Sequence, residues 1–402
     1  MIEEVVSQFD PAAVGPSFAL SGEQRAVREL AHEFAAKEIR PKAAEYDEHS
    51  THPAEIIAKA HEVGLMNRHV DERFGGPGLS TIAGVLIEEE MHWGCAGIGT
   101  ALGANDLGST PVRLAGSEEQ QREWLSPLIE EPILCSFGLT EPGAGSDVAA
   151  IATTAVRRGE SYVLNGAKTF ITNAGHATWT VIFAKTTRDQ GSRGLSAFIV
   201  PMATPGVVIE RKLGKMGQRA TNTVAFALQD VVVPARNRLG REGDGFKIAM
   251  ATLDKTRPTA AAGAVGVARA AYEHARDYVA ERKQFGRPIG ANQGVSFLVV
   301  DMATKIEAAR LLVWRAAWML DSGAGREATA YSAMAKRFAA DAAMEVTTDA
   351  VQVFGGYGYM TEYPVEKLMR DAKLFQIYEG SSQIQRVVLA KLLLDPAGRV
   401  RP

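Results

Sequence analysis

Cysteine is almost missing: Cys95 and Cys135 are the only two in 402 residues. So few thiols, with no CxxC pair and no metal-ligand spacing, exclude a disulfide framework and disfavour a zinc site; no metal is expected. Charge of one sign is lacking too. The chain carries 44 Lys and Arg against 47 Asp and Glu, a net charge of −3. It therefore presents no broad basic field, and no nucleic-acid partner is expected. Long hydrophobic runs are also absent. The longest, PTAAAGAVGVA from Pro258, is broken by Arg269, well short of the roughly 20 residues a membrane span needs. The N-terminal MIEEVVSQFD is acidic, with no basic segment leading into an apolar one, and does not read as a secretion signal. These absences predict a soluble, cytoplasmic protein with no stable membrane insertion.

Familiar catalytic signatures are missing as well. There is no GxxxxGK[ST], and GAGSDV and GGYGYM both fail the GxGxxG spacing, so neither a P-loop nor a Rossmann site is indicated. HExxH and GxSxG do not occur, and the eight histidines are scattered, which disfavours a metalloprotease or an α/β-hydrolase. Reactivity is left to a bound cofactor or a carboxylate.

What is present is a well-packed globular composition, 46% hydrophobic and 23% charged, in a chain too long for one ordinary core. Residues 1–132 read as helical. Ser21 is placed as an N-cap, and apolar residues recur at three and four positions through Val27, Leu30, Ala31, Phe34, Ala35 and Ile39. Residues 133–240 turn β-rich, and Asn165-Gly166 within SYVLNGAKTFITNA signals a hairpin. That segment predicts a small antiparallel β domain, a barrel or sandwich. Residues 241–402 return to long Ala-rich helices, which predict a four-helix bundle. The fold class expected is thus α+β multidomain: helical domain, β domain, bundle.

Several short motifs admit two readings. LTEPGAGSD, from Leu139, cannot be helical. It is either a plain linker or a loop whose backbone N–H groups, with Thr140 and Ser146, suit flavin or phosphate oxygens. In GAKTFITNA, Phe170 is either core or a stacking ring. DKTRP puts Asp254 and Arg257 one turn apart near a helix start, as a surface ion pair or a ligand clamp. ERKQFG ends a helix with Arg282 and Lys283, favoured by the helix dipole or aimed at a diphosphate. Gly355-Gly356 in QVFGGYGY is a C-cap or a close approach to ligand. Glu379 in LFQIYEGSSQIQR is a solvated helix end or a functional carboxylate.

Taken together and in order, LTEPGAGSDVA, YVLNGAKTFITNA, KMGQRATNT, LDKTRP, ERKQFG, VQVFGGYGYMTEYPVEKLMRDAK and QIYEGSSQIQR resemble the acyl-CoA dehydrogenase family, most closely its medium-chain members. The resemblance runs from about residue 18 to the end. It implies the three-domain fold already read, one FAD per subunit, and a homotetramer built as a dimer of dimers. It makes Glu379 the catalytic base. Cofactor contacts implied are Phe137, Leu139, Thr140, Gly145, Ser146, Phe170, Ile171 and Thr172 at the flavin, and Arg282, Gln284, Phe285, Gln293, Gln352, Val353, Gly355 and Gly356 at the diphosphate and adenosine across a subunit boundary. Ser381, Ser382 and Gln383 follow the base. Substrate contacts implied are Ser146, Asp254, Arg257 and Gly380. Two residues depart from the family: Phe170, where Trp is more usual, and Asn292, where His is. Gly99 and Gly103 replace larger polar residues of the acyl-pocket floor. That predicts either a deeper cavity, admitting medium to long chains, or simply a close approach of helices. The implied reaction is dehydrogenation of a saturated straight-chain acyl-CoA to the trans-2-enoyl-CoA, as in the first step of fatty-acid β-oxidation, with electrons passed to electron-transfer flavoprotein. The alternatives are a branched- or short-chain specificity, or an oxidase using oxygen.

Overall fold

The computed structural model describes residues 18–187 and 190–394; the acidic N-terminal decapeptide lies outside them. The first helix, α1 (Gly22–Phe34), starts where the sequence places it. The Ser21 hydroxyl accepts from the Gln24 N–H at 3.1 Å and the Gln24 side chain accepts from the Ser21 N–H at 2.9 Å, a reciprocal cap. Short helices α2 (Ala43–Glu48) and α3 (Ala54–Glu62) lead to α4 (Thr81–Gly94), α5 (Ala96–Ala115) and α6 (Glu118–Glu130). After the β segment come α7 (Gly245–Glu281), α8 (Gln293–Asp321), α9 (Arg326–Phe354), α10 (Pro364–Phe375) and α11 (Ser382–Leu394). The long helix α7 packs against α4, α8 and α9 through alanines and glycines that let axes come close. A Cβ on Gly266, for example, would run into the backbone of α4 at Trp93 N, 2.9 Å away. The C-terminal helices are three long ones with α10 and α11 packed on α9.

Between the helical parts lie β1 (Leu134–Gly138), β2 (Thr154–Arg158), β3 (Ser161–Thr172), β4 (Ala177–Lys185), β5 (Leu195–Pro201), β6 (Val207–Lys212), β7 (Thr223–Pro234) and β8 (Arg238–Leu239). They form one open sheet in the order β6-β7-β3-β2-β4-β5-β8, with β1 added alongside β4. The expectation of a purely antiparallel domain needs correcting, because β1 and β2 each pair with β4 in parallel. No barrel closes either, since β6 and β8 remain edges of the path. Strands β4 and β5 are buried on both faces. Trp179, Val181, Phe183, Leu195, Ala197 and Ile199 face helical residues such as Leu125, Leu128 and Ile248. Ile182, Ala184, Phe198 and Val200 face Leu164, Phe226 and Leu228 of β3 and β7. This two-sided burial explains their near-continuous apolar runs.

The hairpin expected at Asn165-Gly166 is not there. β3 runs straight through it, and the turn falls earlier, at Gly159 between β2 and β3. Asn165-Gly166 is instead a bulge where the register against β7 shifts. The Asn165 side chain accepts from the Asp230 N–H at 2.9 Å and donates to its carboxylate at 3.0 Å, so an Asn-Gly pair serves a bulge as readily as a turn. DKTRP is likewise not at a helix start: Asp254 to Pro258 lie inside α7, and Pro258 is accommodated in the helix interior. One element is an addition. Lys283–Gln284 and Arg287–Pro288 pair as β9 and β10, a two-stranded hairpin joining α7 to α8.

Candidate active site

Glu379 stands in the loop between α10 and α11, with φ of +53°, followed by Gly380 at +86°. Two successive left-handed residues are costly for a glutamate, and the loop is held by its neighbours. Gln385 Nε2 donates to the carbonyls of Glu379 (3.2 Å) and Gly380 (3.0 Å), and Lys336 Nζ donates to the Gly380 carbonyl at 2.7 Å. The Glu379 carboxylate is partly buried, and its Oε2 accepts from Thr256 Oγ1 on α7 at 3.0 Å. Burial pushes its carboxyl above the ordinary range; the Thr256 hydrogen bond and the charges of Lys336 and Arg257 oppose that, and Glu88 adds to it. A carboxylate so placed is a stronger proton acceptor than an exposed one. Arg257, 3% exposed, pairs with Asp254, whose second oxygen accepts from Thr329 Oγ1 at 3.1 Å. The DKTRP pair is therefore a half-buried pair, with its buried Arg257 acting on Glu379, and not a surface one.

Tyr378 packs edge-on against Phe375 at 5.5 Å, and its hydroxyl bonds Thr100 and Gln218. His92 on α4 also reaches Thr100, Nε2 to Oγ1 at 3.2 Å. Gly99 and Gly103 sit in this wall, and the space they leave is filled. A Cβ at Gly99 would meet His92 Nδ1 at 2.7 Å, and one at Gly103 would meet Glu88 Oε1 at 2.5 Å. On the far side, a Cβ at Gly263 of α7 would meet His92 Cδ2 at 2.9 Å. The deeper cavity expected from two missing side chains is thus not formed: α4 refills it with an imidazole and a carboxylate. Arg68 closes the cluster, ion-paired to Glu88 and Asp106 at 2.6 Å each.

A second group of expected residues converges at the mouth of the sheet. Leu139 and Ile171 are buried in its two cores, and Phe137 is half-buried, edge-on to Phe183 at 5.0 Å. The loop holding Thr140 is tied to β3 by Thr169 N–H to Thr140 O at 3.0 Å. Beneath it a fully buried Lys168 donates to Leu139 O (3.1 Å), Phe183 O (2.7 Å) and Glu141 Oε1 (2.7 Å). Burial lowers the Lys168 ammonium to about 8. Gly145 and Ser146 are exposed, and a Cβ on Gly145 would meet nothing within 4 Å. Phe170 lies with φ of +59° and is 67% exposed, its ring bare on the end of β3 beside Thr172. An aromatic held in a left-handed conformation and left uncovered reads as a platform for a planar ligand.

The third group forms a groove of about 460 Å³ lined by Arg282, Gln284, Val353, Gly355, Gly356 and, among others, Tyr357. Gly355 and Gly356 have open space where a Cβ would stand, and the Arg282 guanidinium lies 5.3 Å over the Tyr357 ring. Phe285, Gln293 and Gln352 are exposed and do not line the groove. Ser381 caps the next turn, accepting from the Ile384 N–H at 3.2 Å, and Ser382 is spent on Asp341 at 2.9 Å; Gln383 is exposed. A bare aromatic, glycines open to ligand and a cation over a groove fit FAD at its ring and diphosphate ends. Asn292 meets Arg287 Nη2 at 2.6 Å. Sequence reading missed Lys336, Lys168 and His92. For the first two the signal is a lysine at an inward position of a helix or strand, a place cations avoid unless they are partnered.

The sequence matches the family models for the acyl-CoA dehydrogenase N-terminal domain over residues 21–132, the middle domain over 136–231 and the C-terminal domain over 243–394. The chain is 46% identical over 375 residues to an acyl-CoA dehydrogenase of Bacillus subtilis, covering 92% of this chain and 98% of that one. It is 44% identical over 374 residues to a short-chain-specific acyl-CoA dehydrogenase of Clostridium acetobutylicum, covering 93% and 98%. Among solved structures it is similar to butyryl-CoA dehydrogenase from Megasphaera elsdenii, with a TM-score of 0.92, 42% identity, and coverage of 94% and 100%.

Proposed function

The chain belongs to the acyl-CoA dehydrogenase family, whose members are FAD-dependent oxidoreductases, and from that premise we propose that it converts short straight-chain acyl-CoA to the trans-2-enoyl-CoA in the cytoplasm, passing electrons to electron-transfer flavoprotein. The observation that carries this reading is the partly buried Glu379 carboxylate beside Thr256, its basicity raised by burial.

Glu379 takes the proton from the carbon next to the thioester carbonyl. That proton is too weakly acidic for an ordinary carboxylate, so the charge forming on the carbonyl oxygen must be met by donors. Among the described residues no acceptor takes the Glu379 backbone N–H, which leaves it for that oxygen. Gly380 is glycine because its φ is +86° and a Cβ there would meet Gln385 Nε2 at 2.6 Å, the donor that holds the turn. The bound FAD supplies the hydride acceptor. Asp254 and Arg257 hold one another beside the base, so that the Asp254 carboxylate offsets much of the Arg257 charge there.

Short chains are favoured because His92 and Glu88 occupy the space beyond Gly99 and Gly103. That wall is polar, so a long alkyl tail would have to displace a hydrogen-bonded imidazole and desolvate a charged cluster. The medium-to-long expectation is replaced on this ground, and the butyryl- and short-chain-specific relatives support the same direction.

The test is anaerobic flavin bleaching of purified holoenzyme by butyryl-, hexanoyl-, octanoyl- and palmitoyl-CoA. Bleaching should be fastest with butyryl- or hexanoyl-CoA, and Glu379→Gln should retain FAD yet bleach at least a thousandfold more slowly (about 4 kcal/mol in barrier). Reoxidation by electron-transfer flavoprotein but only slowly by air would separate a dehydrogenase from an oxidase. Undiminished bleaching by the Gln variant removes Glu379 from the reaction.

A further inference from the structure

The loop bearing Glu379 depends on a residue that no motif marks. Lys336 lies on α9, 1% exposed, on a face made otherwise of Ser332, Ala333, Ala339 and Ala340. A lysine buried there loses the hydration of its ammonium and must be compensated. It spends a hydrogen bond on the Gly380 carbonyl, 2.7 Å away, and the carboxylates it faces are Glu379 and, on its own helix, Asp341, while Arg257 from α7 opposes it. Glu379 in turn faces Thr256 and Arg257 from α7, Lys336 from α9 and Glu88 from α4. Arg257 is already neutralised by Asp254. Gln385 offers a neutral donor to the Gly380 carbonyl and to the Glu379 carbonyl. Lys336 thus combines both tasks, a backbone clamp and an unspent positive charge.

We propose that Lys336 is a positioning residue for the reaction assigned above: its ammonium pins the left-handed Glu379–Gly380 turn and stands as the unneutralised cation opposite the base. Burial draws the Lys336 ammonium down to about 8, so its charge persists through the neutral range where the base works. A nearby cation favours the ionised carboxylate. Without it, Glu379 stays protonated to higher pH and the enzyme is held inactive there. The clamp also bears directly on the oxyanion site, since the pinned backbone carries the Glu379 N–H.

The test compares wild type, Lys336→Gln, Lys336→Arg and Lys336→Met holoenzymes. Single-turnover bleaching by butyryl-CoA is followed from pH 5.5 to 9, and hydrogen exchange is followed in the 376–386 segment. In Lys336→Gln, which keeps a donor but no charge, the acid limb should move up by about one pH unit, with bleaching on the acid side of the limb down roughly tenfold. Lys336→Arg should restore the limb. In Lys336→Met the segment should exchange about tenfold faster. A wild-type acid limb in Lys336→Gln, with FAD retained, or wild-type exchange in Lys336→Met would overturn the assignment. If no acyl-CoA bleaches even the wild type, the proposed function fails while the exchange measurement still decides the clamp.

Discussion

At the scale of single residues, the family resemblance pointed to Glu379, the proposed base, while the groups around it stayed hidden. Glu379 is legible through the resemblance of QIYEGSSQIQR, since its polar break alone reads equally as a solvated helix end. Thr256, Lys336 and Gln385 are not, because what makes them matter is proximity across 123, 44 and 6 positions of chain. Thr256→Val keeps the shape and removes the hydroxyl that favours the ionised carboxylate. The acid limb of flavin bleaching should then rise by about one pH unit with FAD content unchanged; a limb that stays put would mean the hydroxyl does not bear on the base. The same burial carries a stability cost. The folded state holds the Glu379 carboxyl above its ordinary range, so the buried carboxylate disfavours folding above that raised value, and the cost fades as pH falls below the ordinary carboxylate range. Glu379→Gln should therefore melt about 2 °C higher than wild type at pH 8, with the difference gone near pH 4. Thermal scans at the two pH values check the sign.

At the scale of elements, periodicity located the helices and strands but not the irregularities between them. Ser21 was readable as a cap because capping chemistry is local. Asn165-Gly166 was misread because the same dipeptide satisfies a turn and a bulge, and only the β7 partner strand, far along the chain, selects between them. At Gly166 the φ is +153°, and a Cβ would lie 2.7 Å from the Thr153 Cα. Gly166→Ala should cost about 2–4 kcal/mol in denaturant unfolding, since both backbone and neighbour must yield. The Lys168–Glu141 pair under the Thr140 loop predicts a larger effect. Lys168→Met strands the Glu141 carboxylate, which retains only the N–H groups of Ala152 (2.6 Å) and Thr153 (3.1 Å). A loss of about 3–5 kcal/mol in stability is expected, together with weaker FAD retention measured by ultrafiltration. Loss of stability without loss of FAD would show that the pair does not shape the cofactor loop.

At the scale of the whole molecule, the layers are joined by buried charge as well as by apolar packing. Glu89 of α4, 6% exposed, meets Arg269 of α7 at 2.8 Å and Arg310 of α8 at 2.9 Å, locking an N-terminal helix to two C-terminal ones, of which α7 carries Thr256. Composition could not show this, because a glutamate run reads as a solvated face until its partners are known. Elsewhere the single chain leaves large apolar side chains uncovered. Phe285 at the tip of the β9–β10 hairpin is 95% exposed, and Phe297 and Val300, one turn apart on α8, are 59% exposed each. The hairpin also supplies Gln284 to the groove holding Arg282, Gly355 and Gly356. Exposed apolar side chains of this kind suit a protein interface, and the hairpin that carries Phe285 adjoins the groove suited to the diphosphate. The family resemblance implies a tetramer, so light scattering should give a mass near four chains of 43.1 kDa, and Phe297→Glu with Val300→Glu should lower that mass and weaken FAD retention together. A double variant that stays assembled, or one that dissociates with its flavin fully bound, would separate the apolar face from the cofactor groove and leave each chain to hold FAD alone.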